Sequence, residues 1–332
     1  MALIRPTDTT SSGSDSRSGS ARRPGTRTRT RPGLGRAMAV FVLVGLGALI
    51  PLLGPSVAAH GTGASATPDS AVVALLRAAL FAALCVQVGE VFASGLARRV
   101  PDAPAGRPGG WAPYAAVVGF AAAATAGELA PHGHGSRAGV LALLEAIAFT
   151  VAGLCALSRR PGRQVWPLAV VVLAEALRAH PPTEPTPLIG SGLTVVHLTC
   201  SALWAGGLLN VLRTLRRWDD AEAGGALLGL YARVAAVLFA AVTVTGLCSS
   251  LRRLPSGPVL EQLTATAYGR VLLAKVLLVG AVALLALWAR TRLRRAPDPR
   301  AACSPARVEI VALGVVIAVS GLLTALPLPI KG

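Results

Sequence analysis

Methionine is almost absent from this chain of 332 residues: Met1 and Met38 are the only two. Lysine is as scarce, with Lys275 and Lys331 set against thirty arginines. Five cysteines, Cys85, Cys155, Cys200, Cys248 and Cys303, form no CxxC pair and no zinc-type spacing, so they read as small core hydrophobes, Cys200 excepted. No nucleotide-binding loop occurs, which excludes ATP-driven pumping by this chain. The formal charge of +17 comes with no aromatic-studded basic stripe and no nucleic-acid motif, so nucleic acid is excluded as a partner. Short segments alternating apolar and polar residues, the mark of a membrane barrel, are missing as well. No catalytic constellation emerges, and the chain does not read as an enzyme.

What is present is apolar sequence in blocks. Hydrophobic residues make up 53% of the chain and the mean hydropathy is +0.60. They fall in runs of roughly 18 to 25 residues, the length of a membrane-crossing helix. Spans are expected at 37–59, 70–96, 112–130, 138–157, 165–179, 188–212, 231–251, 267–290 and 308–328, the fifth being short. The basic residues sit between these blocks and alternate. Spacers 1–36, 97–111, 158–164, 213–233 and 290–307 hold 24 of them; the other spacers and the C-terminus hold only Arg137, Arg178, Arg252, Arg253 and Lys331. Arg77, Arg270 and Lys275 lie inside expected spans. This bias fits the positive-inside rule with the N-terminus cytoplasmic and the C-terminus outside. The fold class is therefore all-α: a polytopic helix bundle of about nine transmembrane helices in the cytoplasmic membrane, with the lipid bilayer as its first partner.

The chain divides into an Arg-rich tail (1–36), a first group of membrane helices (37–180) and a second group (188–328). The tail is rich in Ser, Thr, Arg and Gly and poor in large apolar residues, so it is expected to be disordered. The first span ends in Val57-Ala58-Ala59, which resembles a signal-peptide cleavage site. Cleavage there would leave eight spans and a new N-terminus at His60; the alternative is an uncleaved anchor.

Polar residues inside the membrane carry the functional signal. All five histidines fall on the outer side or in its half of the membrane: His60, His132 and His134 of the spacer APHGHGSR, His180, and His197. Imidazole is a ligand shared by copper, zinc and nickel, and Glu128, Glu175 and Glu184 add negative potential on that side. Polar loops alone would also explain the spacer histidines. His197, which opens the stretch HLTCSALWAGG, is a stronger case, because it lies about ten residues inside the outer end of the sixth span, and an ionisable group at such depth marks a site by default. Helical spacing puts His197, Cys200, Ser201 and Trp204 on one stripe. Gly206 and Gly207 follow, where small residues let a neighbouring backbone approach. Packing alone remains the other reading of this stripe. In the eighth span Tyr268, Gly269 and Arg270 lie near the outer end, and Lys275 lies as deep as His197. A buried ammonium needs a partner, and Glu145 of the fourth span is the expected one. Glu90, nearer the inner end, is expected near Arg98 and Arg99. Thr243 and Thr245 of VTVTG are read as hydrogen bonding across helices.

The run HLTCSALWAGGLL, then RVAAVLFAAVTVTG, then TAYGRVLLAKVLL, resembles the conserved half of the copper resistance protein D (CopD) family over about 188–290. His197, Trp204, Gly206, Gly207, Tyr268, Gly269 and Lys275 fill the pattern. The resemblance implies an inner-membrane protein that moves copper, partnered by a separate CopC-like extracytoplasmic copper-binding protein, since no spacer here holds such a domain. With two methionines no thioether ladder for Cu(I) exists, so a copper ion would rely on imidazole, Cys200 and carbonyl groups. A metal set of His197, Cys200, His132, His134 and His60 is expected. If cleaved, His60 would offer amine and imidazole together to Cu(II). Two other classes remain open: a non-transporting copper sensor or assembly factor, and a haem-binding redox protein, for which only His197 is deep enough.

Overall fold

The computed structural model describes residues 45, 47–58, 60, 69–101, 103–104, 110–131, 133–180, 186–218, 220–253, 264, 266–295 and 314–322. All belong to the compact unit Val40–Gly332; the tail 1–36 lies outside the described residues. Among the described residues, nine α-helices lie at the nine expected places: α1 (Gly47–Ala58), α2 (Ser70–Ala97), α3 (Ala112–Glu128), α4 (Arg137–Leu157), α5 (Val165–Ala179), α6 (Pro187–Leu215), α7 (Ala221–Arg253), α8 (Ala267–Arg295) and α9 (314–322). No strand occurs among the described residues. The protein is an all-α membrane helix bundle. In the described residues, α2, α4, α6, α7 and α8 each contain a stretch long and apolar enough to cross a bilayer.

The helix ends follow local chemistry. Ser136 caps α4, its Oγ accepting from Gly139 N at 3.1 Å. Asp220 caps α7 by accepting from Glu222 N and Ala223 N, so this helix begins ten residues before the expected span. At about 1.5 Å per residue α7 is longer than a hydrocarbon core of roughly 30 Å and must tilt or project. Thr266 caps α8 through Gly269 N at 2.9 Å. α3 has no side-chain cap of its own. Glu90 of α2 supplies one, accepting from Trp111 N at 2.8 Å and Ala112 N at 3.1 Å. The same carboxylate lies 3.8 Å from Arg213 of α6, whose guanidinium covers the Trp111 ring at 4.1 Å. Glu90 is thus tied to Arg213 and α3 rather than to Arg98 and Arg99, because a free helix N-terminus offers it two N–H donors.

Helix α2 and helix α6 form the centre. α3, α4 and α5 pack around one side, and α7 packs on the other face of α6. Lipid is as apolar as leucine, so helices here are held by close fit and not by the exclusion of water. Between α3 and α4 the fit uses alanine and glycine: Ala115, Ala122 and Ala123 meet Ala146, Ala148 and Phe149. A Cβ at Gly119 would strike the Phe149 ring. α2 and α6 cross backbone to backbone at Gly89 and Gly206, where a Cβ on either glycine would collide with the other helix's main chain. α1 and α9 join through Ala58, Ala74, Ala267, Val271, Val319 and Leu322. The outward faces carry Val117, Leu157, Trp166, Leu188, Val237 and Leu277, all exposed, as a lipid-facing surface must be.

Candidate functional site

His197 projects from α6 toward α7. Its Nδ1 lies 3.0 Å from Thr245 Oγ1. That hydroxyl donates its single proton back along α7 to the Ala241 carbonyl at 2.7 Å, with the Val242 carbonyl at 3.2 Å. A Thr245 hydroxyl whose proton stays on its own helix accepts from the ring, and Nδ1 then carries the hydrogen; the Val242 carbonyl also hydrogen-bonds the imidazole. The next residue, Gly246, lets the ring lie against α7: a Cβ there would sit 3.3 Å from His197 Cε1. The Thr245-Gly246 pair thus sets the position of the imidazole. This role was not readable from VTVTG, in which cross-helix hydrogen bonding was expected without a partner. Thr243, by contrast, bonds only to Phe239 O of its own helix.

Lys275 of α8 acts electrostatically on His197. Glu145, the partner expected for Lys275, is instead bonded to Arg178 at 2.6 Å. The reason is topology: α5, which carries Arg178, packs directly on α4. Cys200 is a free thiol, half-buried one turn from His197 and packed beside the Trp204 cluster.

The W-x-G-G run has a packing geometry of its own. Trp204 is buried and meets Phe239 edge-on, with ring centroids 5.3 Å apart. Its carbonyl accepts from Tyr231 Oη at 2.7 Å. Gly206 sits at the α2 crossing, and its carbonyl and that of Val86 accept from Asn210 Nδ2. Gly207 leaves room for the Phe92 and Tyr231 rings. Tyr268 and Gly269 are buried in the first turn of α8. Beside them Arg270 donates to the His60 carbonyl at 2.7 Å and to Thr264 O at 2.8 Å, which joins the end of α1 to the start of α8. His60 itself is exposed. His132 and the His134 side chain lie outside the described residues. His180 is buried, its Nε2 2.9 Å from Thr194 Oγ1, and it pins α5 to α6 rather than facing outward.

A second polar cluster lies among α2, α4 and α5, and sequence reading did not assemble it. Arg77 meets Glu175 at 2.5 Å, and Arg178 meets Glu145 at 2.6 Å and Glu175 at 3.8 Å. Glu145 is fully buried. The available signal was the presence of Arg77 inside an apolar run, a placement costly enough to demand a partner.

Among the described residues no three His, Cys, Asp or Glu side chains come together to hold a metal ion. His197 and Cys200 can offer two donors, an imidazole nitrogen and a sulfur. Two donors suit an ion that passes more than one that stays. No curated protein and no solved structure matches the chain. The stretch 188–290 carried the resemblance in the sequence, whereas the family match begins beyond α6: it takes in Thr245, Gly246, Tyr268, Gly269 and Lys275 but not His197 or the W-x-G-G run. Residues 225–323, from the first turns of α7 into the region of α9, match the family Copper resistance protein D, CopD.

Proposed function

We propose that this membrane protein carries copper from the histidine-bearing face of the bundle inward past His197. The observation that supports the reading most is the Thr245–His197 pair. It holds the imidazole against the family-matched α7, and a ring protonated at Nδ1 would offer Nε2 as a lone-pair donor inside the membrane. The exposed His60, with His132 and His134, would gather the ion at the outer face, and Nε2 of His197 with Cys200 Sγ would receive it. Lys275 opposes the ion's charge from α8 and so keeps its stay short, since a conducting site must release what it binds. The charge bias of the spacers supports an orientation with that face outside and the N-terminus in the cytoplasm. A separate CopC-like protein would deliver copper there.

The test is radioactive copper uptake by purified protein in vesicles. Wild type should load copper, and His197→Ala should fall to the level of protein-free vesicles. Lys275→Ala should bind copper more tightly at equilibrium while passing it more slowly. Uptake unchanged in His197→Ala would remove His197 from the path. Absence of flux in wild type, with copper still bound, would leave a sensor or assembly role.

A further inference from the structure

The Arg77–Glu175–Arg178–Glu145 cluster plays no part in the path just described, and it lies outside the family-matched stretch. Its geometry is uneven. Arg77 holds Glu175 in a close ion pair. Arg178 is shared: Nη2 bonds to Glu145 Oε2, and Nη1 lies 3.8 Å from Glu175 Oε1. The other oxygen of Glu145, Oε1, is buried with no hydrogen-bond partner among the described residues, and so is Arg178 Nε. A buried carboxylate oxygen without a donor is costly while the group is charged, and adding a proton relieves that cost. Arg178 has a second carboxylate within reach when it lets go of the first.

We propose that Glu145 is a proton-binding site, filled when Arg178 shifts its weight to Glu175, and that it couples proton movement to copper movement. The coupling half rests on the copper reading above; the proton site does not. The step adds one proton to Oε1 of Glu145. One O–H bond forms, both arginines keep their protons, and the cluster passes from neutral to a charge of +1. The proton comes from water at the histidine-bearing face, which Glu145 approaches to within about 12 Å along α4 at 1.5 Å per residue.

The groups facing Glu145 are few. α5 presents Arg178 and Glu175, and α2 presents Arg77; all three act on it electrostatically. From α3 the described residues packed on α4 are alanine and glycine, with Glu128 at the helix end. Of the two short turns beside α4, Pro161–Gln164 lies at the opposite end and carries Arg163, and Gly133–Gly135 carries His134. Arg137 of α4 itself is bonded to the Leu177 carbonyl.

The proton site is tested by infrared difference spectra of full-length protein in lipid as pH is lowered. Wild type should show the carbonyl stretch of a protonated carboxyl group growing in. Glu145→Gln should lose that band, Glu145→Asp should keep one, and Glu175→Gln should keep it. No such band in wild type, or a band lost only in Glu175→Gln, overturns the site whether or not any variant folds. Coupling is read in vesicles carrying an internal pH dye. Wild type should move protons with copper, and Glu145→Gln should pass copper with that proton signal cut by about tenfold. A Glu145→Gln proton signal equal to wild type's overturns the coupling. If wild type passes no copper, the transport reading fails while the infrared band still decides the proton site.

Discussion

In α2, α4 and α5 opposite charges meet in direct contact, arginine on carboxylate at 2.5 and 2.6 Å. Deep in α6, α7 and α8 lie a histidine held by a threonine hydroxyl and a lysine acting on it electrostatically. The first arrangement pairs its charges with one another but leaves Glu145 Oε1 and Arg178 Nε without a hydrogen-bond partner among the described residues. The second holds an imidazole, and a neutral imidazole is a donor that soft or borderline metal ions use. The two groups of helices differ in whether their buried polar side chains are paired charges or a single ring held by a hydroxyl.

The sharpest way to break this contrast is Arg178→Ala. It strands Glu145 and loosens Glu175, and removal of one partner of a buried ion pair costs about 3–5 kcal/mol. Melting in detergent or nanodiscs should drop accordingly, with loss of monodisperse protein. Arg178→Ala combined with Glu145→Gln should recover part of the loss, because the stranded charge is gone. Lys275→Ala should change thermal stability far less. A Lys275→Ala variant as unstable as Arg178→Ala would show that the C-terminal half also depends on a contact ion pair.

Gly206→Leu tests the seam on which both halves rest. Its Cβ would meet the Cys85 carbonyl of α2, a main-chain atom that cannot rotate away. Overpacking of this kind costs about 1–3 kcal/mol, and more where backbone must shift. Hydrogen exchange should rise in α2 and α6 together.

Much of this architecture was legible beforehand, and the part that was not has a common cause. Nine apolar runs and an alternating arginine bias announce helices, because chain chemistry and bilayer thickness act residue by residue. Pairings between helices depend on which neighbours touch. Arg77 and Glu175 are 98 positions apart, and Gly89 meets Gly206 only because α2 and α6 are both central. Lys275 and Glu145 were matched by depth alone, and depth does not say that α5 stands beside α4. Glu90 was assigned to the nearest arginines in sequence, yet the N-terminus of α3 came to it in space. His197 was legible as a candidate because its cost in lipid is intrinsic. Thr245 was not, since its meaning comes from a ring 48 positions earlier.

Thr245→Val sharpens the comparison from the other side. It keeps shape and removes the acceptor that fixes Nδ1–H, so either ring nitrogen can then carry the proton. Loss of such a supporting bond typically lowers metal affinity or activity about 10–100-fold. Copper flux should fall within that range while melting changes by about 1 kcal/mol or less. Thr245→Ser should retain flux. Equal loss in serine and valine variants would mean that packing of the Thr245 methyl, and not its hydroxyl, matters to His197.

The smallest effect expected is that of Tyr231→Phe. Its hydroxyl donates to the Trp204 carbonyl at 2.7 Å, a buried neutral bond between α7 and α6. Such bonds between membrane helices contribute about 0.6 kcal/mol on average, because the separated helices find other partners. The ring, which also packs on Gly207, stays in place in the phenylalanine variant. Stability should therefore fall by about that amount, and copper flux should stay within roughly twofold of wild type. A flux loss as large as that of Thr245→Val would carry the ion path from His197 down the stripe to Trp204. The W-x-G-G run would then belong to the open, ion-facing polarity of the C-terminal half and not to the packing of α6 against α2 and α7.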